Sequence, residues 1–413
     1  MLQRTLTQRD ATAIGLGSMM GAGLFVVWGP AAALAGNWLM LSLLLAAFVA
    51  VCNALSSAAL AIRYPQAGGT YVYGRNQLGE YPGYLAGWCF VIGKTASCAA
   101  MAMTIGAAVW PGSARLLGVV AVVVVLGLNL AGVKRSARYS EFVVVCVLVA
   151  FLAVALGSLW SDGMALTELN APATVQPSVL GVFGAAGFLF FAFAGYARIA
   201  TLGEEVKDPR RTIPRAIGWA LGLVTIVYAV VSGVLLSVLG VDAVAASSAP
   251  LVDLGRVLSG SLGGQVVAVV AVLTATGALV NLMLGVSRTS LAMARDGYGP
   301  ATLTRTNAAG VPWVAESVVA AVVVGIVLTL DLRAAIGFSS FGVLLYYAVA
   351  NAAALTLTDT HRATRLVAVF GFVGCVLLVA TLPISATASG LVVVLIGSAV
   401  FVLRRGIARM TNA

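Results

Sequence analysis

Of 413 residues, 61% are hydrophobic and only 9% are charged, with a mean hydropathy of +1.04. Soluble domains carry about 25% charged residues, so a soluble enzyme or binding domain is excluded and a polytopic membrane protein is indicated. The net charge of +10 does not imply a nucleic-acid partner, because the cations sit where they mark one side of a lipid bilayer.

Apolar runs of about 20 residues, the length of a membrane span, recur along the chain. They predict twelve helices at 11–35, 38–62, 84–110, 114–133, 140–160, 178–202, 214–240, 263–292, 313–331, 333–356, 364–383 and 388–404, forming one membrane domain over 1–413. The first run is followed directly by further spans, so it is expected to stay in the mature chain rather than act as a signal peptide. With the N-terminus inside, every Lys and Arg flanks a cytoplasmic end except Arg115, Arg256, Arg333 and the intramembrane Lys94 and Arg198. That asymmetry obeys the positive-inside rule and places both termini in the cytoplasm. The five cysteines lie in apolar runs without CxxC spacing and indicate neither disulfides nor a metal.

Span one contains Gly15, Gly17, Gly21 and Gly23 in a run that is otherwise one membrane helix. Glycine at this density fits a small-residue packing face. It also fits a helix break, tolerated at membrane depth only where the freed backbone is buried in protein or lines a cavity. The N–H groups of the outer half-helix then favour a carboxylate and the carbonyls of the inner half favour an ammonium, the two ends of an amino acid. After span two, Arg63 to Tyr73 mixes Pro, Gly and Tyr and reads as an interfacial segment, with an ordinary turn as the alternative. Span six, through Phe190-Phe191-Ala192-Phe193-Ala194-Gly195-Tyr196, is the second irregular helix. Two interrupted spans five apart point to an inverted-repeat transporter with its site at the midplane.

Three stretches carry a family resemblance. They are Gly17 to Phe25, then Pro65 to Tyr73 with Gly87-Trp88, then Phe190 to Tyr196 running into Glu204-Glu205-Val206-Lys207-Asp208-Pro209. Together they resemble the amino acid permeases of the amino acid-polyamine-organocation superfamily. The resemblance implies an all-α fold of twelve transmembrane helices: a first five-helix repeat over 11–160, an inverted second repeat over 178–356, and accessory helices eleven and twelve over 364–404. It implies that the substrate carboxylate meets backbone N–H groups of Met20, Gly21, Ala22 and Gly23, and that the ammonium meets carbonyls of Ile14, Gly15, Phe191, Ala192 and Ala194. Phe193 and Tyr196 would then wall the side chain.

The sequence departs from the family pattern at three places. Ala197 and Arg198 stand where many members carry an acid, Val147 stands where some proton-coupled members carry a lysine, and Lys94 stands where the family more often has an aromatic residue. An ionisable group inside a membrane costs roughly 2.5 to 3.5 kcal/mol and is a functional candidate by default, so Lys94 is the coupling candidate. Snorkelling is its structural alternative. Arg198 reads as structural, paired with Glu204 and Glu205. Glu141 and Glu316 fall at the cytoplasmic edges of spans five and nine, and no carboxylate reaches the midplane, which leans the substrate toward neutral amino acids. Thr274, Thr276 and Asn281 in span eight offer oxygens for sodium, or bonds to their own helix.

The expected function is secondary active transport of amino acids, by proton-coupled symport or exchange, with a proton favoured over sodium. The alternatives are a cationic amino acid or polyamine antiporter, a sodium symporter, and an uncoupled channel or amino acid sensor. No enzyme or cofactor is expected: His361 is alone in a loop and no phosphate-binding GxxxxGK[ST] stretch occurs.

Overall fold

A computed structural model describes residues 6–21, 23–64, 68–132, 145–147, 149, 177–200, 206–358 and 362–411. Most of span five, together with Glu141, Ala22, Glu204, Glu205 and His361, lies outside the described residues. The described chain is all-α, and its one β contact is an isolated parallel bridge between Leu6 and Val206.

Span one is broken into α1 (Gln8–Met19), α2 (Gly23–Val26) and α3 (Trp28–Ala35). It starts at a capping box in which the Thr7 hydroxyl accepts from the Asp10 N–H and the Asp10 carboxylate accepts from the Thr7 N–H. A turn over Gly36–Trp38 leads into α4 (Leu39–Arg63), then α5 (Thr70–Leu78), α6 (Glu80–Val109) and α7 (Ala114–Leu130). Span six is α8 (Val179–Phe193), a 3-10 turn over Ala194–Tyr196, and α9 (Ala197–Ala200). Then come α10 (Pro209–Leu239), α11 (Val241–Ala246), α12 (Pro250–Arg295), α13 (Trp313–Thr329), α14 (Leu332–Leu355), α15 (Arg362–Thr381) and α16 (Ile384–Thr411). Among the described residues, nine helical stretches are long and apolar enough to cross a membrane, and α13 is a shorter apolar helix. The protein is a multi-pass membrane protein.

Burial follows from position in the bundle. α6 is the innermost helix, packed on α14 and α12, and the hydrophobic window of its span is 83% buried, whereas α7, α15 and α16 are 22% buried in theirs. The outer helices α7 and α16 turn Val123 and Leu395 outward, and α4 does the same with Leu44, which suits lipid, a solvent as apolar as leucine.

The segment after α4 leads into a short helix rather than an ordinary turn alone. Its α5 docks onto the bundle through the Thr70 N–H, which donates to the Tyr346 hydroxyl at 3.0 Å, and through Tyr71 and Arg75, which both donate to Asp296 at the end of α12. Burial, reinforced by the Asp296 carboxylate, pushes the Tyr71 phenol well above its ordinary range. The sequence reading placed span eight at 263–292. In the structure α12 is two helices joined where Ser259 and Gly260 leave the helical conformation, a short one over 250–258 and the span itself over 261–295, whose start agrees with the expected one.

Candidate functional site

The two interrupted helices meet backbone to backbone. α1 ends where the Met20 N–H donates to the Leu16 carbonyl at 2.7 Å, so in this conformation Met20 is taken out of the expected carboxylate-binding set. Gly21 and Gly23 remain of it, with Ala22 outside the described residues. Both are glycine for steric reasons. A Cβ on Gly23 would lie 2.8 Å from the Ala192 Cα and 3.3 Å from the Phe191 ring, and one on Gly21 would lie 3.0 Å from the Ala278 Cβ of α12. From the other helix, a Cβ on Gly195 would overlap the Ser18 carbonyl.

Tyr228 of α10 ties the breaks together. Fully buried, its hydroxyl reaches the carbonyl of Met19 at 2.7 Å and that of Ala192 at 3.3 Å. Its ring stands edge-on to Phe193, with centroids 5.1 Å apart, and to Trp28, at 6.0 Å. On the other side Tyr196 stacks on Tyr347 at 5.1 Å, and the Tyr347 hydroxyl makes a long contact to the Ala194 carbonyl. The Tyr196 hydroxyl is buried without a well-formed hydrogen bond among the described residues. A small cleft lined by Phe25, Val26, Thr104, Ala249, Leu251 and Ala271 lies beside α2, on the side of the break away from the termini.

The sequence-predicted residues divide into two groups. Gly23, Phe191, Ala192, Phe193, Ala194 and Tyr196 come together around the joined breaks. Ile14 and Gly15 lie further down α1: the Ile14 carbonyl accepts from the Ser18 hydroxyl at 2.7 Å, and Gly15 packs against Ile199 and Ala220. Lys94 stands 14 residues from Glu80 and 15 from Val109, at the centre of α6, and is 9% exposed. Among the described residues it makes no ion pair, and Cys98, one turn on, is the group that acts on it. Thr274 directs its hydroxyl to the carbonyls of Val270 and Ala271 in its own helix, both at 2.9 Å, while Thr276 is half-buried and Asn281 exposed. Val147 is buried.

Sequence reasoning missed Tyr228, Tyr347 and Glu316. The two tyrosines sit in long apolar runs that carry no local signal. Glu316 was assigned to a helix edge, yet it is 0% exposed, because α6, α7 and α12 close over it.

A membrane bundle in which two interrupted helices pack their breaks together, with backbone groups turned to a buried aromatic enclosure, has the architecture of a solute transporter. A family model described as amino acid permease matches residues 6–407. The chain belongs to the amino acid permease family, whose members are transporters and not enzymes. It is 52% identical to an uncharacterized transporter of Mycobacterium tuberculosis over 99% of this chain and 93% of the relative. It is 27% identical to a branched-chain amino acid permease of Bacillus subtilis, over 74% of this chain and 70% of that one. A chloroplastic cationic amino acid transporter of Arabidopsis thaliana is 28% identical over 85% of this chain and 65% of its own length.

Proposed function

We propose that this permease is a secondary active transporter of neutral amino acids, working by alternating access around the joined breaks of spans one and six and driven by protons, with both termini in the cytoplasm. The observation that carries the reading is the convergence of the Met19 and Ala192 carbonyls on a single donor, the Tyr228 hydroxyl, beside Gly21 and Gly23. Carbonyls that accept a hydroxyl proton are equally fitted to an ammonium, and the glycines allow a carboxylate to approach the backbone. The twelve-span, two-repeat layout of the family suits this mechanism.

The preference for neutral substrates rests on charge. No carboxylate borders the enclosure among the described residues, and the branched-chain relative has a neutral substrate in its name. The second reading, exchange of cationic amino acids or polyamines, is favoured by the name of the Arabidopsis relative and by the π faces of Tyr228, Phe193 and Tyr196, which can hold a cation. In proteoliposomes with an imposed proton gradient, L-leucine and L-isoleucine should be concentrated and should compete with each other better than L-arginine, L-lysine or putrescine does. Strongest competition by the cations would reverse the assignment, and equilibration without accumulation would indicate an uncoupled channel or a sensor.

A further inference from the structure

One buried carboxyl lies outside the joined breaks and has no task in the reading above. Glu316, in the first turn of α13, is 0% exposed. The Asn129 side-chain amide of α7 donates one proton to Glu316 Oε1 at 2.6 Å and the other to the Val280 carbonyl of α12 at 3.2 Å. The second carboxyl oxygen, Oε2, and the Asn129 Oδ1 are both buried without a donor among the described residues. Ser287 of α12 borders the carboxyl, and its rotatable hydroxyl can donate either to Glu316 or to the Leu284 carbonyl at 3.1 Å.

Beyond the Asn129 amide and the shared Ser287 hydroxyl, the described residues give the carboxyl no close donor, while Oε2 and the Asn129 Oδ1 stay without one. An ionised carboxylate needs several donors when it is taken out of water. A carboxylic acid needs fewer, and its own O–H has the Ser287 oxygen beside it as an acceptor. The other charged or titratable groups acting here are the Cys98 thiol of α6, on which Lys94 also acts, and the Arg288 guanidinium of α12. α7 presents the non-titrating Asn129, and the turn over Ala301–Thr304 carries no titratable side chain.

The cluster also has a physical connection to the joined breaks. Ala278 of α12 touches the Cβ position of Gly21, and Val280, two residues on, accepts from Asn129. Residues two apart point about 200° apart around an α-helix, so α12 holds the break on one face and the carboxyl cluster on the opposite one. A displacement of α12 at the break would therefore also displace the Val280 carbonyl, which shares the Asn129 amide with Glu316.

We propose that Glu316 is a proton-binding site coupled to substrate occupancy, in which a proton taken up from water forms the Oε2–H bond in one transport state and is released from it in another. The proposal rests on the proton-driven transport reading for its coupling, though not for its protonation. On uptake the O–H bond broken is one of a hydronium ion, which leaves as water, and on release the proton returns to water as the Oε2–H bond breaks.

Glu316→Gln keeps the shape and the Asn129 bond but cannot exchange the proton. Infrared spectra of the purified wild type near neutral pH should contain a carboxylic-acid carbonyl band that is absent from E316Q and shifted in Ser287→Ala, the second variant, which leaves the carboxyl in place. In proteoliposomes, wild-type accumulation of radiolabelled L-leucine, or of L-arginine if leucine is refused, should approach about tenfold per pH unit of gradient, the limit for one proton per substrate. E316Q should lose this accumulation while gradient-free counterflow stays within about threefold of wild type. A band that survives in E316Q and ignores S287A, or an E316Q protein that accumulates substrate with wild-type pH dependence, overturns the proposal. A wild type that transports neither amino acid overturns the transport reading instead, and the band still decides the protonation of Glu316.

Discussion

Gly23 is hemmed in by backbone, since a Cβ there would lie 2.8 Å from the Ala192 Cα, whereas the overlap at Gly15 is with the Ile199 side chain. Gly23→Val should therefore part the two breaks, costing about 1 to 3 kcal/mol of stability by overpacking and abolishing substrate-induced thermal stabilisation. A folded G23V protein with the wild-type response would exclude the joined breaks as the binding site. Tyr228→Phe is the complementary change. Removing the hydroxyl leaves two buried carbonyls short of a donor, a loss of about 1 to 3 kcal/mol, and frees them for an ammonium. The melting temperature without substrate should fall, and the extra stabilisation by saturating amino acid should rise. Equal ligand shifts in Y228F and wild type would remove these carbonyls from the site. If Lys94 rather than Glu316 is the proton-linked group, Lys94→Ala should keep exchange but lose the pH dependence of net uptake, with sodium dispensable; if Glu316 is, that dependence should survive in Lys94→Ala. If sodium is the coupling ion, uptake should require it, and Thr274→Val should weaken the requirement while Lys94→Ala acts on stability alone. At this scale the four glycines were legible in the sequence as a packing face or a break, and the second interrupted span at Phe190 to Tyr196 favoured the break. Tyr228 was not, since its role arises from which carbonyls of other helices it happens to meet.

Among the elements, α1 owes its start to local chemistry that is open to direct test. The Thr7 hydroxyl and N–H hydrogen-bond the Asp10 carboxylate and, with Lys207 nearby, hold its pKa below the usual value against a small opposing effect of burial. A carboxyl depressed by folding adds stability that is complete above its unfolded pKa and is lost as pH falls through the folded one. Detergent-solubilised wild type should thus lose melting temperature on acidification below the ordinary carboxylate range more steeply than Asp10→Asn does. Parallel pH curves for the two proteins would show that the capping box contributes nothing. Spans one and six were readable as interrupted because glycine and aromatic residues punctuate them. The short α11 and the short helix over 250–258 that precedes span eight were not, because helices of that length lack the 20-residue apolar signature that locates the others. The burial of Glu316 was hidden for a related reason: position along one helix says nothing about which neighbours close over it.

At the scale of the whole molecule, the breaks lie in the interior of the bundle, and the residue that leads into α1 is fastened by backbone to the segment that leads into α10. There the Lys207 N–H donates to the Leu6 carbonyl at 2.9 Å, within the parallel bridge of Leu6 to Val206. A net contribution of about 1 kcal/mol for such a bond biases a two-state equilibrium roughly fivefold, enough to favour the joined arrangement and little enough to be released by thermal motion. Every amino acid but proline supplies the same amide, so the fastening does not depend on which side chains occupy positions 6, 206 and 207. Mutational drift can rewrite all three residues and leave the bond standing, which makes this contact heritable through the shape of the chain rather than through its alphabet.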